Sequence, residues 1–282
     1  MRIILDPQKL NKIVKQVSAQ TKSVGFVPTM GALHLGHLSL IKQARKDNQL
    51  VVVSIFVNPK QFGPQEDLKK YPRSLKNDFE LCRKNGVDLI FLPTAKIMYA
   101  EGFSTSINVE GLSLRLCGAS RPGHFGGVLT VVAKLLNIVA PHALYLGQKD
   151  AQQAVIIARM IKDLNFPVKV KIMPTIRQAD GLALSSRNVY LNTKQKSEAS
   201  VLFKSLSLAK FLLDAGQRDG PRIISRMREL ISRKQQIKIE YISIVDLERL
   251  ENIKRINQKC LVALAVKIGK TRLIDNAIFN YA

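Results

Sequence analysis

Short unbroken apolar runs alternate along this chain with stretches in which apolar residues recur every third or fourth position. The runs at 24–27, 50–57, 88–92, 143–146 and 168–173 are rich in aliphatic side chains. They read as strands, those at 24–27 and 50–57 as buried and the latter as of the parallel type. Helical spacing holds at 9–17, at 75–84 and after His37, where Leu38, Ile41 and Ala44 share one face. Residues 128–139 are apolar nearly all round, which predicts a helix that is buried or lies in an interface. Residues 104–109 read as an extended segment. Strand and helix thus alternate from Val24 to Met173, which predicts an α/β domain on a parallel sheet, Rossmann-like in arrangement. Beyond Pro174 the pattern changes. Residues 174–192 are polar, 193–215 and 220–233 have helical spacing, and 237–245 and 260–266 read as strands. Two domains are expected, 1–175 and a smaller α+β unit at 176–282 closing over the site.

Composition narrows the function. The chain has 282 residues, enough for a sizeable core, and 46% of them are hydrophobic. Trp is absent and aromatic residues make up 6%, which argues against a single-strand binder built on stacking. Cys82, Cys117 and Cys260 lie far apart. That spacing excludes a zinc ribbon, speaks against a disulfide framework and fits a reducing cytoplasm. No secretory leader and no membrane span is expected. The formal net charge is +23, with the excess spread over both halves of the chain. A nucleic-acid surface would more often concentrate it, so a generally basic surface that attracts anionic substrates is favoured.

The candidate chemistry sits where predicted strands end. Residues 24–27 feed through Pro28, Gly31 and Gly36 into a helix. A helix N-terminus at the carboxyl end of a sheet favours anions such as phosphate. His34 and His37, three apart, can share a face and donate to phosphate oxygens. There is no P-loop pattern and no G-x-G-x-x-G after the first strand. Four further segments fall at comparable positions. Asn58 to Pro64 is a polar loop after the second strand. Leu116 to Gly127 is a glycine-rich loop with Arg121, suited to a carboxylate or phosphate. Gly147 to Gln153 carries Lys149 and Asp150, the latter also a candidate helix N-cap. Thr175 to Asn188 places Ser185 and Ser186 beside Arg187, suited to a mobile loop that grips triphosphate. Taken singly, these segments also fit surface turns, solvated charges and an interdomain linker.

The stretch Pro28-Thr29-Met30-Gly31-Ala32-Leu33-His34-Leu35-Gly36-His37 resembles the H-x-G-H signature of the nucleotidyltransferase superfamily, and in its longer form the pantothenate synthetase family. Val53-Ser54-Ile55-Phe56-Val57-Asn58-Pro59-Lys60-Gln61-Phe62, Tyr71-Pro72-Arg73, Ser120-Arg121-Pro122 with His124-Phe125, Gly147 to Gln153, and Leu184-Ser185-Ser186-Arg187-Asn188 continue the resemblance in order. The last is the counterpart of the superfamily's second signature, with Leu184 near the place of its usual first lysine. Leu35 stands where relatives often carry an acid, and Cys117 where some carry Glu.

The resemblance implies an ATP-dependent ligase that joins pantoate to β-alanine through a pantoyl-adenylate, releasing AMP and pyrophosphate. It implies catalytic roles for His37, His34 and Lys149, with His37 a proton donor. ATP would be bound by Met30, Gly31, Ala32, Leu33, His34, Leu35, Gly36, His37, Gly147, Gln148, Lys149, Asp150, Ile176, Leu184, Ser185, Ser186 and Arg187. Pantoate would meet Gln61, Gln153, Asn58 and Arg121, and β-alanine Gln61. Mg²⁺ would accompany ATP without a dedicated set of protein ligands. Neither nucleic acid nor membrane is an expected partner, and a homodimer is. Two rivals remain at this point: another adenylyl transferase of the superfamily, and a basic RNA-binding module.

Overall fold

In the computed structural model, which describes residues 1–64 and 66–281, the apolar runs pair into one parallel sheet. Its strands are β1 (Arg2–Ile4), β2 (Val24–Thr29), β3 (Leu50–Ile55), β4 (Leu89–Phe91), β5 (Ala143–Gly147) and β6 (Lys169–Met173), in the order β1-β4-β3-β2-β5-β6. Strand β1 was not expected. Two of its three residues are exposed, so no apolar run marks it, and pairing with β4 holds it at the edge.

Helices cover both faces, as a parallel sheet requires. They are α1 (Pro7–Ser18), α2 (Leu35–Asp47), α3 (Leu75–Lys84), the short α4 (Ala95–Met98) and α5 (Cys117–Ser120), α6 (His124–Val139) and α7 (Ala151–Asp163). Adjacent strand residues point to opposite faces. Phe26 packs with Leu129 and Ile157 of α6 and α7, while Val27 packs with Ile41 of α2 and with Cys82 of α3.

Two expectations fail here for identifiable reasons. Residues 104–109 form no strand. Helix α6 begins at His124, so Gly126 and Gly127 lie inside it rather than in the preceding loop. Their role is close approach: a Cβ on Gly127 would sit 2.1 Å from the Lys60 carbonyl oxygen. Bare backbone there lets the loop after β3 press against the helix.

In the C-terminal part, the stretch read as one helix is two, α8 (Thr193–Ala199) and α9 (Val201–Asp214), followed by α10 (Gly220–Ser232). A second, antiparallel sheet is formed by β7 (Ile237–Val245), β8 (Cys260–Ile268) and β9 (Thr271–Phe279), in that order. Val245, Leu261 and Ala263 of this sheet join the core of the larger one, so the smaller unit packs directly on it. Among the described residues no helix is long and apolar enough to cross a membrane.

The chain runs from β2 to β3 and β4 on one side, and from β5 to β6 on the other. The strand order therefore reverses between β2 and β5. The carboxyl ends of these two strands flank the crevice where open α/β sheets take their ligands.

Candidate active site

The turn after β2 is built by two consecutive left-handed residues, Gly31 at φ 80° and Ala32 at φ 49°. The buried Asp78 carboxylate of α3 accepts the amides of Ala32 at 3.0 Å and Leu33 at 2.8 Å. Thr29 Oγ1 accepts the Gly31 amide at 3.2 Å. These three amides are thus committed within the protein. Gly31, Ala32 and Leu33 are therefore not free to bind phosphate through those N–H groups. Leu33 is buried in the core and Leu35 is 64% exposed, and neither lines the cavity described below.

His34 is the N-cap of α2. Its Nδ1 accepts the Gly36 amide at 3.1 Å, and His37 Nδ1 accepts the His34 amide at 3.3 Å. Two histidines thereby make the reciprocal capping box usually built from Ser or Thr with Glu or Gln. With Nδ1 an acceptor on both rings, each neutral imidazole carries its hydrogen on Nε2. Burial, and next the nearby Lys149 charge, hold the His34 pKa down to about 4. Burial, then His34 and Lys149, hold His37 down to about 3. Both rings are neutral at pH 7. His37 is therefore suited to donate a hydrogen bond from Nε2.

A cavity of about 240 Å³ lies at the crevice and brings most of the sequence candidates together. Met30, His34, Gly36 and His37 line it from the first turn. Asn58 and Gln61 come from the loop after β3, Arg121 from the end of α5 and His124 from the start of α6. Gly147, Lys149, Asp150 and Gln153 come from the end of β5 and the start of α7. Ile176, Leu184, Ser185, Ser186 and Arg187 come from the segment after β6. Gly31, Ala32, Leu33, Leu35 and Gln148 do not line it. Gln148 reaches instead toward Asn276 Oδ1, 3.5 Å away. Asp150 occupies the N-cap position of α7 but makes no side-chain cap; its carboxylate lies 3.8 Å from Lys149 Nζ.

Asn58 is buried with its amide fully engaged. Nδ2 donates to Gln61 Oε1 at 3.1 Å and to the Gly127 carbonyl at 3.0 Å, while Oδ1 accepts from Tyr99 at 2.7 Å. It therefore orients Gln61 more than it offers groups to a substrate.

Each of two arginines facing the cavity already holds an acid. Arg121 donates Nε and Nη2 to Glu66, both at 2.6 Å. Arg187 donates Nε and Nη2 to Asp67 at 2.9 and 2.8 Å. Arg121 Nη1 also donates to His124 Nε2 at 2.9 Å, so the remaining ring N–H, on Nδ1, donates to the Gln61 carbonyl at 2.8 Å. Burial, and next Arg121, keep His124 neutral with a pKa near 4.

The segment after β6 makes side-chain contacts with both parts of the chain. Ser186 Oγ donates to the Ala32 carbonyl at 3.1 Å. Arg177 makes two hydrogen bonds to Asp275 of β9, at 2.6 and 2.9 Å. Asn276 Nδ2 donates to the carbonyls of Gln148 and Lys149, both at 2.9 Å. The C-terminal sheet thus supports both the lysine loop and the serine loop.

Sequence reasoning missed Asp78, Glu66, Asp67, His124 and Asn276 as parts of this site. His124 stood in a motif that carries the resemblance without being given a role, and Asp78 had a local signal, sharing the buried stripe of α3 with Cys82, four residues on. An acid on such a stripe needs partners.

A family model described as pantoate-beta-alanine ligase matches residues 2–278. A pantothenate synthetase of Fervidobacterium nodosum is 50% identical over 280 residues, 99% of this chain and 100% of that one. One from Thermotoga neapolitana is also 50% identical, over the same shares. Among solved structures, a pantothenate synthetase of Thermus thermophilus superposes with a TM-score of 0.94 at 42% identity, covering 98% of this chain and 99% of that one. The pantoate-beta-alanine ligase of Francisella tularensis, complexed with beta-gamma ATP and β-alanine, gives 0.81 at 38% identity, covering 99% and 97%.

Proposed function

The chain belongs to the pantoate–β-alanine ligase family, enzymes that use ATP to join pantoate to β-alanine through a pantoyl-adenylate with release of AMP and pyrophosphate; on that premise we propose how its residues divide the work. The observation that carries the reading is the convergence of His34, His37 and Lys149 on one cavity at the reversal point of the sheet.

Attack of the pantoate carboxylate on the α-phosphorus concentrates negative charge on phosphate oxygens. Catalysis then consists mainly of positioning and electrostatic stabilisation. The Nε2–H groups of His34 and His37 donate to those oxygens. Their capping bonds fix both rings, so little reorganisation accompanies the reaction. Lys149 supplies positive charge beside them, and it is the charge that helps keep both rings neutral. Ser185, Ser186 and Arg187 grip the triphosphate, while Met30, Gly36, Gly147, Ile176 and Leu184 shape its pocket. Asp150 stands at the same wall.

Pantoate is held by Gln61 and Gln153, whose amides pair with hydroxyl and carboxylate without adding charge. Arg121 meets the carboxylate, and Asn58 acts through Gln61. β-Alanine then enters beside Gln61, and its amine displaces AMP from the adenylate. Mg²⁺ would accompany ATP and offset phosphate charge without a dedicated set of protein ligands; Asp150, a carboxylate among the residues that line the cavity, would be the group to help hold it. The reading also includes a homodimer working in the cytoplasm.

Exchange of labelled pyrophosphate into ATP tests the assignment of the pantoate residues. Exchange requires pantoate and proceeds without β-alanine. Gln153→Ala weakens the use of pantoate far more than the binding of ATP. Exchange that ignores pantoate but responds to a nucleoside monophosphate would overturn it.

A further inference from the structure

We propose that Asp78 is a positioning residue for adenylation: its buried carboxylate clamps the amides of Ala32 and Leu33 and so sets the direction in which His34 and His37 point. The inference rests on the reading of the two histidines given above.

Asp78 is fully buried. Burial pushes its pKa up, and the opposing influences are the two backbone bonds from Leu33 and Ala32. A carboxylate buried without a cation is an expensive group, and an apolar side chain of similar size would often serve stability better. What the carboxylate provides is geometry. Its two oxygens take two successive amides, Oδ2 from Ala32 and Oδ1 from Leu33. Those amides belong to the residues directly before His34. The backbone there is left-handed at both Gly31 and Ala32, a conformation a non-glycine residue keeps only when its surroundings enforce it. A Cβ on Gly31 would lie 3.0 Å from Asp78 Oδ2 and 3.0 Å from Ile55 Cγ2. The clamp, the bare glycine and β3 therefore fit together on one side of the turn. On the other side His34 leaves in an extended conformation, φ −138° and ψ 175°, as the N-cap of α2. A turn released from Asp78 changes the angle at which His34 enters the helix, and the His34–His37 capping bonds carry that change to both rings.

The test uses the full chain with Asp78→Asn and Gly31→Ala. The asparagine side chain preserves volume and offers one oxygen to one amide, while its NH₂ group faces the other amide and breaks that bond. Gly31→Ala disturbs the same contact from the opposite side. Pantoate-dependent pyrophosphate exchange should fall about 10²-fold in kcat in both, the scale of a small misplacement at a reacting centre, with the KM for pantoate little changed. Imidazole ¹⁵N signals at pH 7 should show His34 and His37 as Nε2–H forms in the parent and as mixed forms in Asp78→Asn. Wild-type kcat, or unchanged imidazole signals, would overturn the proposal. Failure of both variants to fold would also overturn it, because Asp78 would then serve folding alone. Should the histidine reading itself be wrong, removing the His37 donor leaves exchange intact, an outcome distinct from any of these.

Discussion

Asp67 accepts from both Nε and Nη2 of Arg187, at 2.9 and 2.8 Å, so the loop cation assigned to triphosphate already holds an anion. Glu66, the residue before Asp67, does the same to Arg121. Both arginines line the cavity, and the Arg187–Asp67 pair is largely shielded, with side chains 28% and 24% exposed. Phosphate must share or displace these carboxylates to reach the guanidinium groups.

Asp67→Asn removes the competing charge while keeping the side-chain shape. A partly exposed pair of this kind is worth roughly 0.2–1 kcal/mol, so the dissociation constant of a non-hydrolysable ATP analogue should fall by about threefold. Isothermal titration measures it directly. Weaker binding in Asp67→Asn would mean that Asp67 orients Arg187 for the nucleotide rather than competing with it.

The buried histidines make a statement about pH. The folded-state pKa values of His34 and His124 lie near 4 and that of His37 near 3, below the ~6.5 of an unfolded chain. The unfolded chain therefore binds more protons throughout that window. Their contribution to stability is complete above about pH 6.5 and is lost as pH falls through the folded values. Titration of the imidazole ¹⁵N signals should give midpoints near these values, and urea midpoints should decline as the pH falls from about 6.5 toward them. A histidine at position 34 or 37 titrating near the unfolded value would contradict the capping geometry.

Gly127→Ala tests the packing beneath Gln61. The added methyl would meet the Lys60 carbonyl at 2.1 Å, so the loop carrying Asn58 and Gln61 must move. Overpacking of this kind costs about 1–3 kcal/mol. The Asn58–Gly127 hydrogen bond would be strained with it. A lowered melting temperature together with a raised KM for pantoate is expected. A lowered melting temperature with an unchanged KM would separate this contact from the substrate site.

How much of this was legible beforehand depends on whether the signal was local. The strands β2, β3, β4 and β5 leave apolar runs, so the parallel sheet could be read directly. β1 could not, because its place comes from pairing with β4 rather than from its own residues. His34 and His37 stood out through their spacing and the adjoining glycines. Their mutual capping did not, since it depends on rotamers. Glu66 and Asp67 looked like ordinary loop acids, and only the folded chain brings Arg121 and Arg187 to them across 55 and 120 residues. Gly126 and Gly127 misled in the other direction. Their composition suggests a loop, whereas their function is to let a helix and a loop touch.

Whether the Nε2–H of His37 stabilises charge on phosphate during adenylation is best decided with His37→Asn. Asparagine places its Oδ1 near the position of Nδ1 and can still accept the His34 amide, but nothing replaces the Nε2 donor. Pantoate-dependent pyrophosphate–ATP exchange is compared in the parent and the variant, with melting temperatures measured alongside. The expected outcome is a melting temperature close to that of the parent and an exchange rate lower by about 10²–10³-fold, the usual cost of losing one positioned donor. A folded His37→Asn protein that exchanges pyrophosphate at the parent rate would refute that role for the histidine.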